Sequence, residues 1–233
     1  MRVMAIGAHP DDVEILCAGT LFRYKARGDR VSVCILTDGS AGHKKISAQE
    51  LAKIRKQEAE QAARFLGADF YWLGIRDEML FDDEPTRMKL IEVIRRAKPD
   101  LILCHSQNDY HPDHQAGYRL AFSCGFIASL KNVKTQSPAL TKVPYLYEMD
   151  NLTGIGFVPI EYVDISNSLT KKLKMLIKHK SQLKFLKEHF GIDVVEMVEV
   201  QARFRGYQAG VRYAEGFRLI PRWSAVPAKR VLP

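Results

Sequence analysis

The chain has 233 residues, 46% of them hydrophobic, enough for one sizeable core and a single domain (residues 1–233) with an extended C-terminal part. A formal charge of +8 suits anionic ligands, but the basic residues fall in short scattered clusters without interleaved aromatics, which argues against nucleic acid as a partner. No apolar stretch approaches membrane length, the chain opens on a strand without a leader-like segment, and Cys17, Cys34, Cys104 and Cys124 show no C-x-x-C pairing. A cytoplasmic protein with buried free thiols is therefore expected.

The apolar run from Val3 stops abruptly at Gly7-Ala8-His9-Pro10-Asp11-Asp12-Val13-Glu14. The first strand of an open α/β sheet ends in this way, and its carboxyl end is where such sheets place ligands. Two carboxylates and an imidazole on one turn repel each other unless something positive sits between them. A divalent metal such as Zn²⁺ is one answer. The other is an acidic first turn of a helix, complementing its dipole, with His9 incidental.

The spacing then predicts a helix from Ile15 to Ala26, closed by Gly28, and an apolar strand from Val31 to Leu36. Thr37 to Gly42 is a loop of small residues, suited to close approach by a ligand or simply a connection. Ser47 to Leu66 reads as a helix with Ser47 and Glu50 as a capping box and Gly67 as its stop. A strand from Asp69 to Gly74, a helix from Pro85 to Ala97 and a strand from Leu101 to Cys104 follow. This alternation means right-handed βαβ units, hence an α/β, doubly wound, mostly parallel sheet with helices on both faces.

The fourth strand runs into His105-Ser106-Gln107-Asn108-Asp109-Tyr110-His111-Pro112-Asp113-His114, and a helix is expected from Gln115 to Ser129. Beyond Lys131 the alternation breaks. A polar loop to Pro144 gives way to strands at Tyr145–Met149 and Tyr162–Ile165. A basic helix or helix pair is expected over Leu169–His189, another helix over Val194–Tyr207, and a late strand or turn over Tyr213–Leu219. The organisation is thus a core of residues 1–130, a C-terminal part of residues 131–220 and an extended tail of residues 221–233.

Two His/Asp clusters at the carboxyl ends of two strands converge on one face, which favours the metal. Three protein ligands with one position left for water is the usual catalytic zinc arrangement, and His9, Asp12 and His114 supply three. Asp11, beside a ligand but pointing elsewhere, could take the proton of an attacking water, or only orient a ligand imidazole. His111 could stabilise an oxyanion or protonate a leaving amine. His43, His105 and His189 read as surface or supporting residues, His179 as structural, and Lys171 to Lys187 as a solvated helix face.

Ala8-His9-Pro10-Asp11-Asp12 with Glu14, followed by His111-Pro112-Asp113-His114, resembles the PIG-L/LmbE-type zinc-dependent N-acetylglucosaminyl deacetylases. Arg55-Lys56-x-Glu58-Ala59, Asp77, His179-Lys180-Ser181-Gln182 and Tyr213-Ala214-Glu215-Gly216-Phe217 extend the likeness over most of the chain. The details look most similar to the bacillithiol-pathway branch, which deacetylates a GlcNAc-malate conjugate. The resemblance implies a Rossmann-like fold, zinc on His9, Asp12 and His114, Asp11 as general base and His111 stabilising the transition state. It further implies Arg55 and Asp109 at a small N-acetylated amino-sugar substrate, and a homo-oligomer, trimer or hexamer. One departure is Val194, which stands where that branch carries a pocket tyrosine; Tyr110 and Tyr207 are the candidates to replace it. The rival readings are a metallophosphoesterase, disfavoured because only one three-ligand set is apparent, and a non-catalytic metal- or nucleic-acid-binding module. Retention of Asp11 and His111 argues against the latter.

Overall fold

A computed structural model describes residues 1–233. The first half alternates as expected: β1 (Arg2–Gly7), α1 (Asp12–Leu16), α2 (Ala18–Ala26), β2 (Arg30–Thr37), α3 (Ala48–Leu66), β3 (Asp69–Ile75), α4 (Glu84–Ala97), β4 (Leu101–Cys104) and α5 (Pro112–Ile127). The second half runs β5 (Tyr145–Met149), β6 (Glu161–Asp164), α6 (Leu169–Leu176), α7 (Lys180–Phe190), α8 (Val194–Ala209) and β7 (Ala214–Leu219). No helix is long and apolar enough to cross a membrane.

All seven strands form one sheet in the order β3-β2-β1-β4-β5-β7-β6. The first five in that order are parallel, while β7 runs antiparallel to both β5 and β6. The fold is therefore α/β and doubly wound, with its C-terminal residues extending the same sheet. Successive strand residues feed opposite faces: Val3 and Ala5 with Leu101 and Leu103 face α1, α2 and α6, while Met4 and Ile6 with Ile102 and Cys104 face α4 and α5. Burial on both faces is why these strands read as continuous apolar runs.

The chain winds from β1 outward to β3 and then returns to place β4 on the other side of β1. Strand order reverses between β1 and β4, and the crevice outside their carboxyl ends is where open sheets of this kind bind ligands. The segments His9–Asp12 and His105–His114 emerge there, one from each side of the switch.

Helix boundaries follow local chemistry. Ser47 accepts the Glu50 N–H at 3.3 Å, and Gly67 turns left-handed to end α3, as its capping sequence implies. Two helices start three residues earlier than the apolar pattern suggests. α1 begins at Asp12 because Asp11 adopts a φ of 113° that no helix continues. α5 begins at Pro112 because the His111 imidazole acts as its cap, Nδ1 accepting the Asp113 N–H at 3.2 Å. The expected basic helix over Leu169–His189 is the pair α6 and α7, and Lys172 departs from a solvated face: it is buried, paired with Glu215. The tail is extended but docked, with Leu232 in the core and the Val231 carbonyl accepting from Tyr24 at 3.0 Å.

Candidate active site

His9 follows β1 on a turn closed by its own N–H, which donates to Asp12 Oδ2 at 2.6 Å. That bond holds Asp12 at the first position of α1 with its carboxylate turned back toward the imidazole. His114 enters from the first turn of α5, across the switch point. Its Nε2 lies 3.2 Å from His9 Nδ1 and 3.4 Å from Asp12 Oδ1, and His9 Nδ1 lies 3.5 Å from Asp12 Oδ2. All three residues are buried.

The opposite ring nitrogens face carboxylates. His9 Nε2 lies 3.2 Å from Asp77 Oδ1, off the axis of a good hydrogen bond, and 3.3 Å from Asp113 Oδ2. Asp113 is itself held by the N–H groups of Glu78 and Leu80. His114 Nδ1 lies 3.1 Å from Asp109 Oδ1, likewise off the axis of a good hydrogen bond. Negative charge behind each imidazole favours the N–H on that side, hydrogen-bonded to Asp113 in His9, and a lone pair on the other. Two lone pairs and a carboxylate therefore converge on one point.

That arrangement demands positive charge. Burial pushes His9 and His114 down, but contacts with Asp113, Asp12 and Asp77 for His9, and with Asp12 and Asp109 for His114, more than reverse this. His9 stands well above its usual value and His114 is raised to about 9. A divalent metal answers the same demand. Two ligands ~2.0–2.1 Å from a tetrahedral zinc stand roughly 3.3–3.4 Å apart. The His9–His114 separation of 3.2 Å and the His114–Asp12 Oδ1 separation of 3.4 Å match that edge, while His9 approaches the other carboxylate oxygen, Oδ2, at 3.5 Å. Overlapping donor groups also occur, namely His9–His111–His114, Asp12–His105–His114, His9–Asp77–Asp113 and Glu78–His111–Asp113. The cluster is richer in donors than a single ligand set implies.

Beside the cluster opens a cleft of about 380 Å³, lined at its floor by His9, Asp11, Asp12, His111 and His114. Burial, opposed by the Arg55 guanidinium, raises the Asp11 carboxyl to about 6. Arg55 is buried on α3 and reaches under the turn: its Nη2 donates to the Pro10 carbonyl at 2.7 Å and lies 3.5 Å from Asp11 Oδ1, while Nη1 donates to the Gly39 carbonyl at 3.0 Å. A Cβ at Gly39 would sit 2.7 Å from that guanidinium, and its φ of 64° also favours glycine. The small-residue loop thus approaches an arginine. His111 Nε2 lies 3.3 Å from Glu78 Oε1, and its Nδ1 is spent as helix cap, so a neutral ring carries its proton on Nε2. Burial and the neighbouring His9 lower its pKa, keeping it neutral.

The structure brings His9, Asp11, Asp12, His111, His114 and Arg55 to one cleft. Asp109, expected at the substrate, does not line it: it is buried behind His114, also accepting the His111 N–H at 3.1 Å. His105, expected as a surface or supporting residue, is fully buried against the cluster: it stacks on His114 with centroids 4.0 Å apart, and its Nε2 lies 3.0 Å from Asp12 Oδ2. Asp113 and Glu78 were not singled out, although Asp113 stands inside the second motif. Of the tyrosine candidates, Tyr110 lines the cleft, while Tyr207 is exposed under Arg203 and Val194 is buried in the core.

The outlying motifs brace this floor. His179 Nε2, at the head of α7, lies 3.2 Å from Glu14 Oε1, and Glu58 accepts from both the N–H and the hydroxyl of Ser181. Glu215 accepts the N–H groups of Gly19 and Thr20, satisfying the first turn of α2 where it breaks from α1 at Cys17.

An open α/β sheet with a His/Asp cluster able to hold a metal at its switch point defines the class as a Rossmann-like metal-site enzyme. Within that class the chain belongs to the PIG-L family: residues 4–124 match the family model described as GlcNAc-PI de-N-acetylase. It is 30% identical to the diacetylchitobiose deacetylase of Thermococcus kodakarensis, over 94% of this chain and 83% of that protein. It is 26% identical to the 4-oxalmesaconate hydratase of Pseudomonas putida, over 72% of this chain and 69% of that one. Among solved structures, the N,N'-diacetylchitobiose deacetylase of Pyrococcus horikoshii superposes with a TM-score of 0.82 at 30% identity, covering 94% and 83% of the two chains.

Proposed function

We propose that this chain is a zinc-dependent hydrolase that removes the N-acetyl group from a GlcNAc-type amino sugar, acting on a small molecule. The observation that carries the reading is the convergence of His9 Nδ1, Asp12 and His114 Nε2 at 3.2–3.5 Å on the floor of a cleft that Asp11 and His111 also line. The deacetylase relatives supply the reaction, and the donor set fits zinc.

Zinc bound there would acidify a water and polarise the acetamide carbonyl. The chain's own groups supply the rest. Asp11, ionised at neutral pH yet more basic than a solvated carboxylate, takes the proton of the attacking water. Neutral His111 donates its Nε2–H to the carbonyl oxygen as negative charge gathers on it. Arg55 holds Asp11 and the Pro10 carbonyl, fixing the base over the reacting carbon. The C–N bond then breaks, Asp11 returns its proton to the departing nitrogen, and acetate and a free amine leave. Asp113 behind His9 bonds Nε2 and sets that ligand's tautomer, while Asp77 beside it and Asp109 behind His114 face the outer ring nitrogens with negative charge.

Hydration of an unsaturated polycarboxylate, as in the Pseudomonas relative, would require cations to bind the carboxylates. Arg55 is the one lysine or arginine lining the cleft, and its fork is engaged. The same shortage bears on the malate-bearing conjugate that the sequence resemblance suggests. Acetate release from a panel of N-acetylated amino sugars, measured alongside zinc content, tests the proposal. A zinc-loaded protein that releases no acetate from any of them would refute it.

A further inference from the structure

No residue of α7 is buried. The helix is nevertheless fixed: Leu183 and Leu186 pack on the main core cluster, and Glu58 accepts from Ser181 N–H at 2.9 Å and from its hydroxyl at 2.6 Å. What this anchoring presents is aromatic. Phe185 and Phe190 line the cleft, their rings 5.9 Å apart and nearly perpendicular, and His189 stacks on Phe185 at 5.3 Å. Phe190 is 59% exposed, and Tyr110, which also lines the cleft, is 55% exposed. Exposed aromatic surface beside a polar floor is the composition of a ligand site.

Apart from the histidines of the cluster and the metal they would hold, the charge lining the cleft is mostly negative. Asp11, Asp12, Asp77 and Glu78 are all present, with Arg55 the single opposing arginine. That guanidinium gives Nη1 to the Gly39 carbonyl and Nη2 to the Pro10 carbonyl beside Asp11, so no lysine or arginine lining the cleft is free to receive a ligand carboxylate. A carboxylate-bearing group in the outer cleft would lose hydration without gaining a partner. An uncharged ring would lose little, and its C–H face would lie on the negative face of an aromatic side chain.

Resting on the deacetylase reading, we propose that Phe185 and Phe190 of α7 form the subsite for the group joined to the N-acetylated sugar. That group is an uncharged ring with an apolar face, as a second pyranose or an aryl group provides, and not an anionic aglycone such as malate. Phe185 and Phe190 are then specificity-determining residues.

The test uses the full zinc-loaded chain with three substrates: N,N'-diacetylchitobiose, an aryl N-acetylglucosaminide and GlcNAc-malate. At least one ring-bearing substrate should exceed GlcNAc-malate about tenfold in kcat/KM, and comparing the two separates pyranose from aryl. Phe185→Ala and Phe190→Ala should each cut that ratio several-fold through KM, and Phe185→Trp should restore it. GlcNAc-malate turned over as well as either ring-bearing substrate would overturn the subsite alone. So would alanine variants that lose equally on all three. Acetate from none of the three would overturn the deacetylase reading and the subsite with it.

Discussion

His9 and His114, 105 residues apart in sequence, bring Nδ1 and Nε2 to 3.2 Å with a carboxylate behind each ring. Both facing nitrogens are left as lone pairs, so a proton or a metal must lie between them.

The first prediction concerns that cation. The purified chain should carry one zinc, and His114→Ala should lose it while remaining folded. Removing the metal with a chelator should lower Tm, because a ligand bound to the native state alone stabilises it by about 4 kcal/mol at a thousandfold excess over Kd. Metal analysis with thermal melts checks both. Undiminished zinc in His114→Ala would reject the ligand set.

Much of this site was legible because its residues sit at strand ends in two short motifs, and chain order alone brings the ends of β1 and β4 together. α3 was equally legible, since Ser47, Glu50 and Gly67 carry its caps in their side chains and backbone freedom. What escaped has a common cause: it depends on a partner distant in sequence. Asp77 and Asp113 stand in the resembling segments, but their role shows only once the second nitrogen of His9 points at them. His105 reads as one histidine among seven until it stacks on His114. Lys172 lies in a lysine-rich run, and only Glu215 on β7 makes its burial tolerable. The insertion of β7 between β5 and β6 follows no local pattern.

A second prediction tests stability away from the cleft. Arg95 on α4 is fully buried and ends α5 from outside, donating to the carbonyls of Ala128, Leu130 and Val133 at 3.0, 2.8 and 2.8 Å and to the Thr135 hydroxyl at 2.7 Å. Arg95→Ala should cost about 3 kcal/mol by leaving several acceptors unpaired. Arg95→Lys should recover little of it, because an ammonium cannot span the fork. Urea denaturation measures both; a loss below 1 kcal/mol in Arg95→Ala would contradict the assignment.

The third prediction is a pH dependence of stability. His179 is buried facing Glu14, with Asp11 and Arg55 near it; burial lowers its pKa, but Glu14 raises it further, to a net value above the usual one. A group whose folded pKa is raised contributes fully below its unfolded pKa of about 6.5 and loses that contribution as pH rises through the folded value. The stability difference between the natural chain and His179→Gln should therefore be largest near pH 6 and shrink toward alkaline pH. A difference that is flat or grows with pH would mean that His179 is buried neutral.

The last prediction separates strain from chemistry at Asp11. Its φ of 113° is a conformation that side chains adopt at a cost of about 1–3 kcal/mol, and such residues persist where the surroundings impose them. If the carboxylate is the base, Asp11→Asn should keep the metal and the fold while losing turnover by about 10²–10⁴-fold, the usual worth of general-base catalysis. Asp12→Asn should instead weaken the metal itself, since it removes a charged ligand. Asp11→Gly provides the control: glycine adopts this φ freely, so the variant should be at least as stable as the natural chain and equally inactive. Zinc content, Tm and acetate release for the three variants distinguish the cases. If Asp11 served only to hold Arg55, Asp11→Gly would be destabilised and Asp11→Asn nearly active. Near-normal acetate release from zinc-loaded Asp11→Asn would refute the base role, because an amide side chain at that position cannot take up the proton.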